Sequence, residues 1–150
     1  MNDIVWVENE TRKHIIEVQK NLGKIAKNVM DRQALHDASK LVSPEAEIFA
    51  KYTERLSNMV YASDEYKQCL AEMNLHLNHY ETNPHHPEHY KDGIKGMSLV
   101  DIIEMLCDWT AATKRYKNGD ILKSIEINQE RFGYTDELKQ ILINTLKEIQ

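Results

Sequence analysis

Histidine and carboxylate side chains are the residues of this chain whose placement could do chemistry. Imidazoles stand at His14, His36, His76, His79, His85, His86 and His89; Asp37 directly follows His36, and Asp108 lies well downstream. Neutral imidazole nitrogen and carboxylate oxygen are the donors that Mn, Fe, Ni, Co, Zn and Mg draw on, so the set points to a divalent metal without choosing one. One ion is expected, and the number of donors leaves room for a second.

Helices must position these groups. Ile15, Val18, Leu22, Ile25 and Val29 recur at three- and four-residue steps and predict a first helix over about 7–30, with His14 on its apolar stripe. Asp31 to Leu35 reads as a turn or short helix presenting His36 and Asp37. Ser43-Pro44-Glu45 predicts a second helix to about Met59, with Ser43 capping and Pro44 at the first helical position. Ser63 with Asp64 and Glu65 starts a third, on which Cys69, Glu72, His76 and His79 would share a face.

From Tyr80 to Met97 the helical pattern fails, and Asn83-Pro84-His85-His86-Pro87-Glu88-His89 is stiffened by its prolines. This segment is the expected functional loop. Ser98, with Asp101 three residues on, forms a capping-box-like start to a helix with the apolar stripe Leu99, Ile102, Ile103, Leu106 and Trp109. Asp101, Glu104 and Asp108 occupy another face of it. Asn118-Gly119-Asp120 then breaks the chain, a further helix runs to about Arg131, and Thr135 caps a last one bearing Leu138, Ile141, Leu142 and Leu146.

The resulting expectation is an all-α protein of five to six helices in one domain over 1–150. Its metal-site core spans about 7–116, and C-terminal helices span about 120–149. The latter would complete the core or form the face of a homo-oligomer. With 150 residues, 41% hydrophobic and 29% charged, the chain can bury one core and too little for two.

A net charge of −5 without a dense basic patch argues against duplex nucleic acid, yet a bound dication could still recruit a small phosphorylated partner. Cys69 and Cys107 show no paired spacing and read as buried thiols. No apolar run approaches the roughly 20 residues of a spanning helix, and no signal-like start is present, so a cytoplasmic, membrane-free protein is expected. A carboxylate-bridged di-iron bundle is disfavoured, because Glu10 with His14 and Glu72 with His76 stand four apart instead of three.

His36-Asp37-Ala38-Ser39-Lys40 spells HDxxK, preceded by a helical His14 and followed by the helical Asp108. In this order the chain resembles the HD-domain metal-dependent phosphohydrolases, from about His14 to Asp108. The run His85 to Gly93 is also similar to the HHExxDG segment of the HD-GYP branch, although one residue intervenes before Glu88 and no Gly-Tyr-Pro follows. The patterns H-D-x-S-K, N-P-H-H-P-E-H and E-M-x-x-D-W are similar to those of an HD-like family of phage and bacterial proteins with no assigned activity.

The resemblance implies an HD-like domain in which His14, His36, Asp37 and Asp108 hold one metal, and Asp37 with His79, His85 and His86 a second. Asp37 would bridge them, a metal-activated water would attack phosphorus, and Lys40 would hold a phosphate oxygen, making Asp37 and Lys40 the catalytic residues. Glu88 or Glu104 would orient a ligand histidine from behind. The function so implied is hydrolysis of a nucleotide or other small phosphoester in a bacterial cytoplasm, by a protein that a phage could encode. The alternative is a non-catalytic, metal-stabilised helical module binding a host factor or nucleotide.

Overall fold

The computed structural model describes residues 4–60, 63–74 and 79–149. Among them are seven α-helices, three 3-10 turns and no strand, as the dominant three- and four-residue apolar spacing requires. The class is all-α. The chain divides into two units, Met1–His36 and Asp37–Gln150.

The first unit is one helix, α1 (Ile4–Leu35). It runs past the expected end near Met30 because Asp31 to Leu35 continue the helix instead of turning. Lys27 reaches Asp31 at 2.6 Å and Arg32 reaches Asn28 at 2.9 Å, both one turn apart, and Arg32 in the last turn faces the negative end of the helix dipole. Taken by itself a lone helix has no interior, and no residue of α1 is buried.

In the second unit, α2 (Glu45–Ser57) and α3 (Asp64–Asn74) pack around Tyr52, Cys69 and Met73. Pro44, expected as the first helical residue, occupies the N-cap position of α2, and Ser43 makes no cap there, so helix formation begins at Glu45. The acidic residues Glu45 and Glu47 in that first turn offset the missing cap by facing the helix dipole. His79 lies in the helical segment α4 (His79–Thr82). His76, which was expected to share a face with it, lies outside the described residues.

Downstream, α5 (Leu99–Thr113), α6 (Ile121–Phe132) and α7 (Asp136–Ile149) enclose the larger core of Leu106, Ile125, Tyr134, Leu142 and Leu146. The capping box expected at Ser98 is present: its hydroxyl accepts from the Asp101 amide, and Asp101 accepts from the Ser98 amide. The expected stripe of α5 is shifted, since Leu99 and Ile103 are exposed while Met105 is buried beside Leu106. Cys107 likewise is exposed, contrary to the reading of two buried thiols, whereas Cys69 is buried.

Gly119 lets the chain turn sharply after α5, because a Cβ there would meet the Thr113 carbonyl at 1.7 Å. Gly133, at φ 64, then ends α6 in the left-handed conformation that glycine adopts without strain. No described helix is long and apolar enough to cross a membrane.

Tyr134 closes the larger core. Its ring is buried and its hydroxyl donates to the Ile125 carbonyl at 2.5 Å. Burial pushes the phenol up to about 12. Because the folded value is raised, the neutral form's contribution is complete below the ordinary value near 10 and declines as pH rises through about 12. Absorbance titration is expected to show one phenol resisting ionisation until that range, and Tyr134→Phe to cost about 1 kcal/mol in chemical denaturation. A phenol titrating entirely near 10 would contradict the burial.

Candidate metal centre

Three carboxylates and three imidazoles meet within the second unit. Asp37 stands at its start, in the left-handed region at φ 56, just before the 3-10 turn Ala38–Leu41. Aspartate tolerates that conformation better than most residues, and a non-glycine residue held there is a mark of local over-determination. Lys40, on the same turn, donates to Asp37 Oδ2 at 2.5 Å and lies 4.9 Å over the Phe49 ring.

Against the other oxygen, Asp37 Oδ1, the Nε2 atoms of His79 and His85 approach to 3.2 and 3.6 Å. Ligand atoms from Asp37, His79, His85 and His86 all lie within 4.8 Å of one another. His79 and His85 are each 1% exposed, which places their imidazoles out of water. Among the described residues, Nε2 of His79 and Nε2 of His86 are buried without a hydrogen bond. Leaving such atoms unsatisfied is costly unless something else occupies their lone pairs.

The opposite edges of the rings face carboxylates. His79 Nδ1 lies 3.3 Å from Glu45 Oε2, and His85 Nδ1 lies 3.3 Å from Glu104 Oε1. The Ser39 hydroxyl donates to the same Glu45 oxygen at 2.7 Å, while the Asn83 amide sits 2.9 Å from His79 Nδ1 and donates to the His79 carbonyl. A proton on Nδ1, where a carboxylate can accept it, leaves Nε2 with its lone pair aimed at Asp37.

The third imidazole differs. His86 stacks edgewise on Tyr80 at 4.6 Å and on His79 at 4.9 Å. Burial, then the neighbouring His85 and His79, push its pKa down to about 3, and Asp108 opposes them only in part. His86 is therefore neutral at physiological pH and able to donate a nitrogen lone pair.

Other expected site residues are distributed as follows. His14 is exposed on α1, and His36 is half-buried, its amide donating to the Arg32 carbonyl. Asp108 is half-buried on α5, one turn beyond Glu104 and on the same face, where its charge acts on His86. Of the two carboxylates expected behind a ligand histidine, Glu104 reaches one. Glu88 is exposed and pairs instead with Arg131 on α6 at 2.6 Å. His89 is exposed, with Nδ1 2.6 Å from the Glu81 carbonyl, so it braces the loop.

Glu45 was not anticipated. It is buried and faces an imidazole 34 positions away, and no local spacing marks that pairing.

Fold and site together define an all-α protein with an internal imidazole and carboxylate cluster of metal-ligand composition. The chain belongs to DUF5662, a family of unknown function whose profile matches residues 5–149. No curated protein and no solved structure matches it.

Proposed function

We propose that this protein is a metal-dependent phosphohydrolase acting on a nucleotide or other small phosphoester, and that Asp37, His79, His85 and His86 hold its divalent ion. The observation that carries this reading is the convergence of imidazole Nε2 atoms on one aspartate oxygen, with Glu45 and Glu104 behind the rings of His79 and His85. Carboxylate–histidine pairing of that kind fixes tautomer and ring orientation in metal sites. A divalent ion bound there would bring the pKa of a coordinated water toward neutrality and offset charge on phosphoryl oxygens.

The remaining roles fall to the chain's own groups. Lys40 holds its ammonium against Asp37 at the edge of the cluster, on the face of Phe49, where a phosphoryl oxygen can take over the carboxylate as its partner. Asp108, on the face of α5 that carries Glu104, acts on His86 in the opposite sense to its imidazole neighbours. The half-buried setting keeps these interactions from being screened as they would be in open water.

Lys40→Ala separates catalysis from metal holding. With Mn, Fe, Co, Ni, Zn or Mg supplied to a panel of phosphoesters, the parent is expected to hydrolyse at least one. The variant is expected to keep its metal content while turnover falls by about 10²–10³-fold, the usual cost of removing one charge-stabilising donor. A parent that binds metal but hydrolyses nothing would leave the metal-stabilised binding module as the better reading. A parent that binds no metal would overturn both.

A further inference from the structure

One cavity of the second unit adjoins the cluster without belonging to it. It encloses about 600 Å³ and is reached by His86 and Asp108 on the side of the imidazoles, by the Tyr80 and Trp109 rings, and by Arg115, Lys117 and Lys123. That volume falls within the range typical of small-molecule sites. Asp108 and Arg115 are seven residues apart along α5 and its immediate continuation, which separates the two ends by roughly 10 Å at a helical rise of 1.5 Å per residue.

The distal end is charged in an unusual way for an acidic chain. Arg115, Lys117 and Lys123 are exposed, and none makes an ion pair among the described residues. The other cation of the lining, Arg131, is paired with Glu88. Asp120, the nearby acid, accepts from the amides of Leu122 and Lys123 as the N-cap of α6. Three like charges around one cavity repel one another unless an anion lies between them, and a chain of net charge −5 has acids available elsewhere to neutralise them.

Between the ends the walls are aromatic. Trp109 is held by stacking nearly parallel to Phe132, with centroids 6.2 Å apart, and Tyr80 packs against His86. A planar ring entering here meets pre-positioned faces.

We infer that this cavity binds a planar aromatic compound carrying two anionic groups, one directed to the cluster and the other held by Arg115, Lys117 and Lys123. The inference deepens the phosphohydrolase reading and rests on it only for the role of the inner end, where one anionic group would be the phosphoester under attack. The outer end is a recognition element that favours substrates with a second charge.

The test uses metal-free, full-length protein carrying Trp6→Phe, so that fluorescence reports Trp109 alone, with adenosine and adenosine 5′-monophosphate as probes. The monophosphate is expected to quench saturably and to bind about tenfold or more tightly than adenosine, as one charge-assisted contact at the outer end implies. Adding Arg115→Ala, Lys117→Ala and Lys123→Ala, all at exposed positions, should erase that preference. Lys117→Arg with Lys123→Arg, beside the native Arg115, should keep it. Equal affinity for the two probes, or a preference that survives loss of the three cations, would overturn the inference. Because no metal is present, these outcomes are independent of whether the cluster binds an ion, which a separate metal titration decides.

Discussion

Asp37→Asn is expected to remove divalent-metal binding from the second unit. The oxygen toward which both His79 and His85 aim is the one charged donor in the set, and its loss leaves neutral imidazoles alone to compensate a dication. Asparagine is nearly isosteric and tolerates the left-handed backbone found at φ 56, so the substitution changes charge with little change of shape. Visible absorbance during a cobalt titration reads the effect directly. The parent should develop ligand-field bands that saturate, and Asp37→Asn should develop none.

Thermal unfolding gives an orthogonal reading of the same change. Metal at 100 times its dissociation constant should stabilise the parent by about 2.7 kcal/mol and leave the variant unmoved. Glu45→Gln and Glu104→Gln, which alter only the partners behind the rings, should weaken binding by about 10–100-fold without abolishing it. Parental metal affinity in Asp37→Asn would exclude Asp37 as a ligand. Equal losses in all three variants would instead indicate general disruption of the cluster.

The features legible in the sequence are those whose partners are close along the chain. The Ser98 and Asp101 capping box needs only three residues, and helical periodicity reveals most elements for the same reason. The grouping of Asp37 with His79, His85 and His86 was readable as a set because a proline-bounded loop carries two of the imidazoles and a family resemblance linked them to the His-Asp pair. Their orientation was not. Which carboxylate reaches a histidine depends on how a short 3-10 turn projects Glu88 toward Arg131 and how α5 projects Glu104 inward.

Glu45 shows the limit most clearly. As the first residue of α2 it has a sufficient local explanation in the helix dipole, and that explanation conceals its second partner. The shifted stripe of α5 has a similar origin. A helix facing both a core and a polar cluster has no single apolar side, so Met105 is buried while Ile103 is left exposed.

The same double role of α5 makes the core beneath it the place where a single substitution should cost most stability. Ile125 on α6 is 0% exposed and lies against Leu106, Tyr134, Leu142 and Leu146. Ile125→Ala is expected to lower the unfolding free energy by about 2–5 kcal/mol, and Ile125→Val by about 0.5–1.5 kcal/mol, the difference reflecting how much of the vacated volume the helices can close. Denaturant unfolding of the metal-free protein measures both. Leu106 packs in this core from the helix that carries Glu104 and Asp108, yet the core around Ile125 is built of residues other than the proposed ligands, so the two effects should be separable. Saturating metal should therefore raise the midpoint of Ile125→Ala by the same free energy as it raises the parent's. A loss below about 0.5 kcal/mol for the alanine variant would contradict the packing described, and a loss of metal stabilisation in that variant would show that α5 depends on this core to hold Glu104 against His85.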